Sequence, residues 1–447
     1  MTAHNLKLMP SLTEVGGEMH RLMAELYPIC RSITGDGLRE SLRIIQKHIP
    51  LELHEVPTGT QVFDWIVPRE WNIRDAFVKN SRGEKVIDFR HSSLHVVNYS
   101  IPVHKKMPLQ KLLEHLHSLP EQPDLVPYST SYYKENWGFC LSHRILESLN
   151  EGEYEVFIDS SLEDGHMTYG ECFLKGETED EILISSHSCH PSLCNDNLSG
   201  MVLNAFLAKH LITQKLKYSY RFLFAPGTIG AISWLALNEA KTSRIKHGLT
   251  AACVGDAGHF TYKKTRRGNA EIDQAVIHVL KHSGQEYEVF DFTPYDYDER
   301  QYNSPGFNLP VGNLARTPHD RYPENHTSAD NLDFVKPEYL ADSLSNYLKI
   351  LEILEGNERY LNTNPKCEPQ LGKRGLYGAF GGKKEANQYE VAMFWVLNFS
   401  DGHHTLLDIA DRSGFSFDII KETATTLAEH SLLEKVHPNS AAHNDNL

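Results

Sequence analysis

No apolar stretch in these 447 residues approaches the ~20 residues that a membrane-spanning helix needs. Runs such as Val391–Leu397 are far shorter. Residues Met1 to Arg21 lack a basic start followed by an apolar segment, so no secretory signal is expected. A basic surplus is missing too. Lys+Arg number 44 against 59 Asp+Glu, and the net charge of −15 disfavours non-specific affinity for nucleic acid or an anionic membrane. Cysteine is sparse: Cys30, Cys140, Cys172, Cys189, Cys194, Cys253 and Cys367 are an odd number, scattered over a long chain. That is no disulfide framework, and it fits a reducing compartment. The expectation is a cytoplasmic protein with no nucleic-acid and no membrane partner.

What is present is ordinary for a folded protein. Hydrophobic residues make up 40% and charged residues 23%, and the length allows two or three domains with at least one large core. No internal repeat or low-complexity tract stands out. Apolar positions recur with helical spacing in Met19–Tyr27 and Leu38–Ile49, on either side of a turn-rich link from Cys30 to Leu38. From Leu51 to about Pro108, short β-branched and aromatic pieces alternate with Pro, Asn, Gly and Ser: Gln61–Val67, Lys85–Ile87 and Leu94–Tyr99. These predict a small β-rich module.

From about Tyr128 to Leu354 the pattern becomes strand, then helix, repeatedly. Glu155–Ile158, Ile182–Ser186, Arg221–Ala225 and Leu249–Val254 read as buried strands, and Gly200–Ile212 and Ile229–Glu239 as helices. Such alternation predicts an α/β domain with a mostly parallel or mixed sheet, whose ligand site lies beyond the carboxyl ends of its strands. Near the carboxyl end, Leu406–Asp411, the turn Arg412–Phe415, Ser416–His430 and the extension Leu432–Val436 outline a winged helix. Residues 383–447 carry five Lys+Arg against ten Asp+Glu, a balance of −5. A DNA reader needs a basic face, so this module is expected to contact protein, such as a second copy of the chain.

Histidine is plentiful at 25, so a histidine counts only where its neighbours supply a reason. One cluster follows the strand Ile182–Ser186. His187 emerges at the sheet edge, and Asp196 comes where a helix opens at Asn197–Gly200. Imidazole with carboxylate is ligand chemistry for Zn²⁺, and an aspartate can bridge two ions. Asp196 or Ser199 reads equally as a helix cap, with His187 a core histidine. A second cluster, Arg316 to Asp333, places His326 in a loop rich in Pro and Asn, where Thr327, Ser328 and Asp330 can orient its ring. A plain turn with capping residues fits as well. The third, Asp256 between Gly255 and Gly258 after Leu249–Val254, reads equally as a turn. Around one sheet, the three together carry more weight than any one.

In order, His187, Asp196, Asp256 and His326 resemble the ligands of M28-type zinc aminopeptidases. The fuller strings resemble its aminopeptidase-like branch known as DUF4910 and DUF2172, which carries a C-terminal winged helix. They are Arg31-Ser-Ile-Thr-Gly-Asp-Gly37, Tyr132 to Cys140, His187–Gly200, Pro226-Gly-Thr-Ile-Gly230, Asp298-Glu-Arg-Gln-Tyr302 and His326 to Asn331. The resemblance spans most of the chain. It implies a phosphorylase/hydrolase-like α/β domain over residues 1–50 and 126–360, an inserted β-rich domain over 51–125, and a winged helix over 371–440. It also implies zinc, with His187 and Asp256 on one ion, Asp196 bridging, and His326 on a second.

The chain departs from that pattern in one place that matters. M28 enzymes carry a Glu-Glu pair after the next strand, one a general base and the other a metal ligand. Here Gly227 and Thr228 stand there, and Cys189 replaces an Asp two residues after the first ligand. A general base contributes roughly 10²–10⁴-fold, so a substitute is needed, and Glu324, His190 and Glu299 are the candidates. Each also reads as a surface or supporting group. The lost ligand implies one strongly held Zn²⁺, with a second ion an open alternative. For substrate, Asp298 suits a free amino group, and Arg300 or Arg266 a carboxylate or phosphate. Tyr302 belongs to the same loop, and Trp137 could wall an apolar pocket; a solvated loop and a core tryptophan are the alternatives. The expected function is a metal-dependent amide or peptide hydrolase of aminopeptidase type. The alternative is a non-catalytic, metal-stabilised binding or regulatory descendant.

Overall fold

Three of the apolar runs become neighbours at the centre of an eight-stranded mixed sheet, and that arrangement places the loops that leave them at one edge. The computed structural model describes residues 11–376 and 384–436. They form two compact units, one from 11–273 and 286–347, the other from 274–285, 348–376 and 384–436.

In the first unit the sheet strands are β1 (Glu52–Pro57), β2 (His166–Leu174), β3 (Glu181–His187), β4 (Ser219–Ala225), β5 (Ile245–Ala251), β6 (Phe260–Lys263), β7 (Tyr287–Phe290) and β8 (Val311–Ala315). Their spatial order is β1-β2-β4-β3-β5-β8-β6-β7. The central four, β4-β3-β5-β8, run parallel, while β2 and β6 join them antiparallel. Every residue of β3 and β4 is buried, the signature of strands covered on both faces. The helices Gly200–Leu211 and Ile229–Leu237 are buried along most of their length. Gly200 is required where the first begins, because a Cβ there would lie 2.1 Å from the Ala251 carbonyl oxygen. The helix N-terminus is thereby pressed against the end of β5.

Glu155–Ile158 does not join this sheet. It belongs to the long strand Glu153–Glu163, which pairs antiparallel with Glu70–Lys79 and Val103–Pro108 in a second, four-stranded sheet. The reason lies in its alternation: Tyr154, Val156 and Ile158 are buried while the residues between them are not, the pattern of a half-covered antiparallel strand. Its core includes Ala76, Val78, Ile87, Phe139 and Trp137. This sheet therefore draws a strand from beyond residue 125, whereas β1, within 51–125, pairs in the main sheet.

In the second unit, helices Lys384–Phe399, Leu406–Ser413 and Phe417–Glu429 accompany a three-stranded antiparallel sheet of Arg359–Asn362, Asp401–Thr405 and Leu433–Lys435. Thr405 and Asp408 form a reciprocal cap at the start of the middle helix, and Gly414, at φ +76°, closes it. Of the expected span 371–440, residues 377–383 and 437–440 lie outside the described residues. Among the described residues no helix is long and apolar enough to cross a membrane.

Candidate functional site

The parallel strands β3, β4, β5 and β8 end at the same edge of the sheet, and the loops that leave them carry the polar residues. β3 delivers His187, opposite Ala225 at the end of β4. The following loop supplies His190 and Asp196, and the loop after β8 supplies His319 and His326.

Asp196 is the hub. Only 1% of it is exposed, and its two oxygens face different histidines. Oδ1 lies 2.8 Å from His187 Nε2 and 3.8 Å from His190 Nδ1. Oδ2 lies 3.0 Å from His326 Nε2 and 3.9 Å from His319 Nδ1. Burial opposes the Asp196 charge, but His190, His187 and His326 around it hold its pKa well below the usual carboxylate range. Burial alone would lower His187, yet the Asp196 charge beside it leaves its pKa raised. Burial dominates at His190, aided by its neighbouring histidines, and holds that ring well below its ordinary pKa.

A further layer fixes these groups. Asp330 accepts hydrogen bonds from the backbone N–H of Asn195 and Asp196, at 2.5 and 3.0 Å. The Asn197 amide nitrogen lies 3.3 Å from His187 Nδ1 and donates to the Ala251 carbonyl at 3.0 Å. Tyr297 stacks on the His187 ring, and Tyr128 sets its edge against His190 and His326. Donor atoms of His187, His190 and Asp196 lie within 4.8 Å of one another, as do those of Asp196, His319 and His326. Two imidazoles on each oxygen of one carboxylate is a donor set that fits Zn²⁺. Thr327, which follows His326, is buried.

The pocket over these groups has a volume of ~170 Å³. Besides the histidines and Asp196 it is lined by Cys189, Gly227, Thr228, Asp296, Tyr297 and Asp298. Gly227 and Thr228 therefore do border it, without supplying a carboxylate. Cys189 is a thiol there, since burial pushes its pKa up to about 12. Asp298 is 3% exposed, and neither of its oxygens has a hydrogen-bond partner among the described residues. Burial pushes its pKa up to about 7 against the opposing pull of His187.

Several sequence candidates lie elsewhere. Asp256 is buried but spent: it accepts from Asn195 Nδ2, Gly258 N, and both the backbone N and Oγ1 of Thr317. The glycine-flanked turn wraps its carboxylate in donors, and Asp256 neither groups with the histidines nor lines their pocket. Glu299, 0% exposed, is ion-paired with Lys263 Nζ at 2.6 Å and accepts from Thr250 Oγ1. Glu324 is half-buried and does not line the pocket. Tyr302 is fully buried, its hydroxyl 2.9 Å from Ser185 Oγ. Trp137 belongs to the core of the second sheet, stacked on His115. Arg266 reaches Asn308, and Arg300 is half-buried outside the pocket. Sequence reasoning passed over His319. Its signal was its place seven residues before His326 in the same loop.

Comparison with known proteins agrees with this architecture. The model of a family described as a domain of unknown function, DUF4910, matches residues 20–357, and a winged helix-turn-helix model matches residues 358–435. A protein of Clostridium acetobutylicum is 57% identical over 96% of this chain and 99% of its own. It is provisionally described as a polysaccharide biosynthesis protein with aminopeptidase-like domain. A crystal structure of a provisionally assigned peptidase from Clostridium acetobutylicum, 56% identical, superposes with TM-score 0.91 over 95% of this chain and 97% of that one. The zinc aminopeptidase BSAP from Bacillus subtilis, only 10% identical, shares the fold with TM-score 0.57, over 78% of this chain and 96% of its own.

Proposed function

The chain belongs to the DUF4910 family, and from that premise we propose that it is a zinc-dependent amide or peptide hydrolase of aminopeptidase type. The observation that carries this reading is Asp196, buried and faced by two imidazoles on each oxygen, beyond the carboxyl ends of parallel strands. His187, His190 and Asp196 would hold the principal Zn²⁺, and Asp196, His319 and His326 offer a second, weaker position. The Thr228 hydroxyl replaces a carboxylate ligand, which favours one strongly held ion. When bound, zinc supplies Lewis-acid polarisation of a carbonyl and of water.

The chain's own residues do the rest. The pocket, at ~170 Å³, suits the end of a small molecule rather than a folded protein chain. The substrate we propose is a small peptide or an amide-bearing biosynthetic intermediate. The description of the Clostridium acetobutylicum relative, which joins polysaccharide biosynthesis to an aminopeptidase-like domain, supports the latter. We place the protein in the cytoplasm, with protein rather than nucleic acid as the partner of its acidic winged helix, a second copy of the chain included.

The test joins metal analysis to turnover. Purified protein is expected to carry about one zinc per chain, and His187→Ala is expected to lower zinc affinity beyond the ~10–100-fold that loss of a mere supporting group costs. Protein that takes up no divalent ion on titration ends the proposal. A second reading, a non-catalytic metal-stabilised binding or regulatory protein, draws on Gly227 and Thr228 at the place of the usual acid pair. Amide turnover that disappears in His187→Ala eliminates it.

A further inference from the structure

The hydrolase reading leaves a gap that the pocket itself points to filling. A proton acceptor is required as water attacks an amide, and Gly227 has no side chain. Glu324 and Glu299 do not border the pocket. His190 does, but it is one of the imidazoles grouped with Asp196.

Asp298 is different. Its carboxylate is 3% exposed, lines the pocket, and has no hydrogen-bond partner on either oxygen among the described residues. Leaving a carboxylate buried and unpaired is costly, so its persistence calls for a group that pairs with it during function. Its location fits one role. A Cβ placed on Gly227 would lie 3.2 Å from His187 Cβ and 3.7 Å from Asp298 Oδ1. A side chain rooted at 227 would thus start between the metal-facing histidine and this carboxylate. Asp298 borders the same space. It sits at the head of the short helix Glu299–Tyr302 and makes no side-chain cap there. The neighbouring acids are already engaged: Asp296 with Lys263 at 3.0 Å, and Glu299 with the same lysine. Asp298 alone of the three is left for the pocket.

We propose that Asp298 is the general base of this enzyme, replacing from an adjacent position the acid that position 227 lacks. The proposal rests on the hydrolase reading above. As the water oxygen bonds to the amide carbon, one water proton passes to the Asp298 carboxylate. As the C–N bond breaks, that proton passes to the leaving nitrogen, so water and amide become carboxylic acid and amine and Asp298 returns to its starting form.

The test uses full-length zinc-loaded protein, L-leucine p-nitroanilide and a set of unblocked dipeptides as probes. Expected for Asp298→Asn is a fall in kcat of roughly 10²–10⁴-fold, with KM within about threefold, zinc content unchanged and the melting transition retained. Asp298→Glu should recover part of the loss, and added formate should restore turnover to Asp298→Gly. Loss of zinc from Asp298→Asn would make Asp298 a ligand and overturn the proposal. A rise in KM at constant kcat would make it an anchor for the substrate amine and overturn it equally. If Asp298→Asn fails to fold, formate rescue of Asp298→Gly decides: absence of rescue overturns the assignment. Wild-type protein that holds zinc but cleaves none of the probes overturns the hydrolase reading and this assignment together, whereas turnover that survives in Asp298→Asn overturns this one alone.

Discussion

The loop after β5 and the loop that carries Asp298 each bury one aspartate, and burial alone does not separate them: Asp256 is 2% exposed and Asp298 is 3%. Their surroundings do. Asp256 receives hydrogen bonds from a side-chain amide, two backbone N–H groups and a hydroxyl, so its charge is met inside the protein and nothing is left over for a ligand. Asp298 receives none from the described residues, and it faces a pocket shared with four histidines. A buried acid with every lone pair engaged holds loops together, while a buried acid with none engaged is held ready for a ligand or a proton.

This contrast can be broken most decisively at Asp256. Asp256→Ala should orphan donors on Asn195, Gly258 and Thr317 and cost about 3–5 kcal/mol of stability, read by urea unfolding, with zinc affinity kept once folded. Retained stability with lost zinc would show that the contrast has been drawn the wrong way round. A smaller effect is expected at Asp298. Its pKa is about 7 in the fold against ~3.9 in an unfolded chain. Above pH 7 the fold carries an uncompensated buried charge. As pH falls from 7 toward 4 the folded state takes up the proton first, and stability rises. In zinc-free protein, Asp298→Asn should therefore be more stable than wild type by on the order of 2 kcal/mol at pH 8. The gap should narrow steadily toward pH 4. A gap that does not change with pH would mean that Asp298 is already paired. The smallest effect belongs to Glu324, half-buried and away from the pocket. Glu324→Gln should change kcat/KM by less than about twofold and stability by no more than ~0.5 kcal/mol.

The same contrast explains which residues were legible in the sequence. His187, Asp196 and His326 could be picked out because each lies in a string with its own local reason, a strand end, a helix start or a loop. Spacing along the chain says nothing about which way a loop side chain points, so Asp256 looked equivalent to them and His319 looked like one more histidine. Asp298 drew notice as a charged loop residue, but its lack of partners is a property of the packed surroundings. The four-stranded sheet was half legible. Its alternating strand Glu153–Glu163 carries the antiparallel pattern, yet sequence order placed it among the strands of the main sheet.

By itself the sequence determined the class of fold, the winged helix and the edge of the sheet at which chemistry collects. Those follow from local periodicity and from the rule that parallel strands deliver their loops to one side. Only the tertiary structure decided which acids face the pocket and which are consumed by hydrogen bonds. That depends on donors from Asn195, Thr317 and Lys263, 61, 61 and 36 positions away from the acids they satisfy, and no local pattern encodes contacts at such separations.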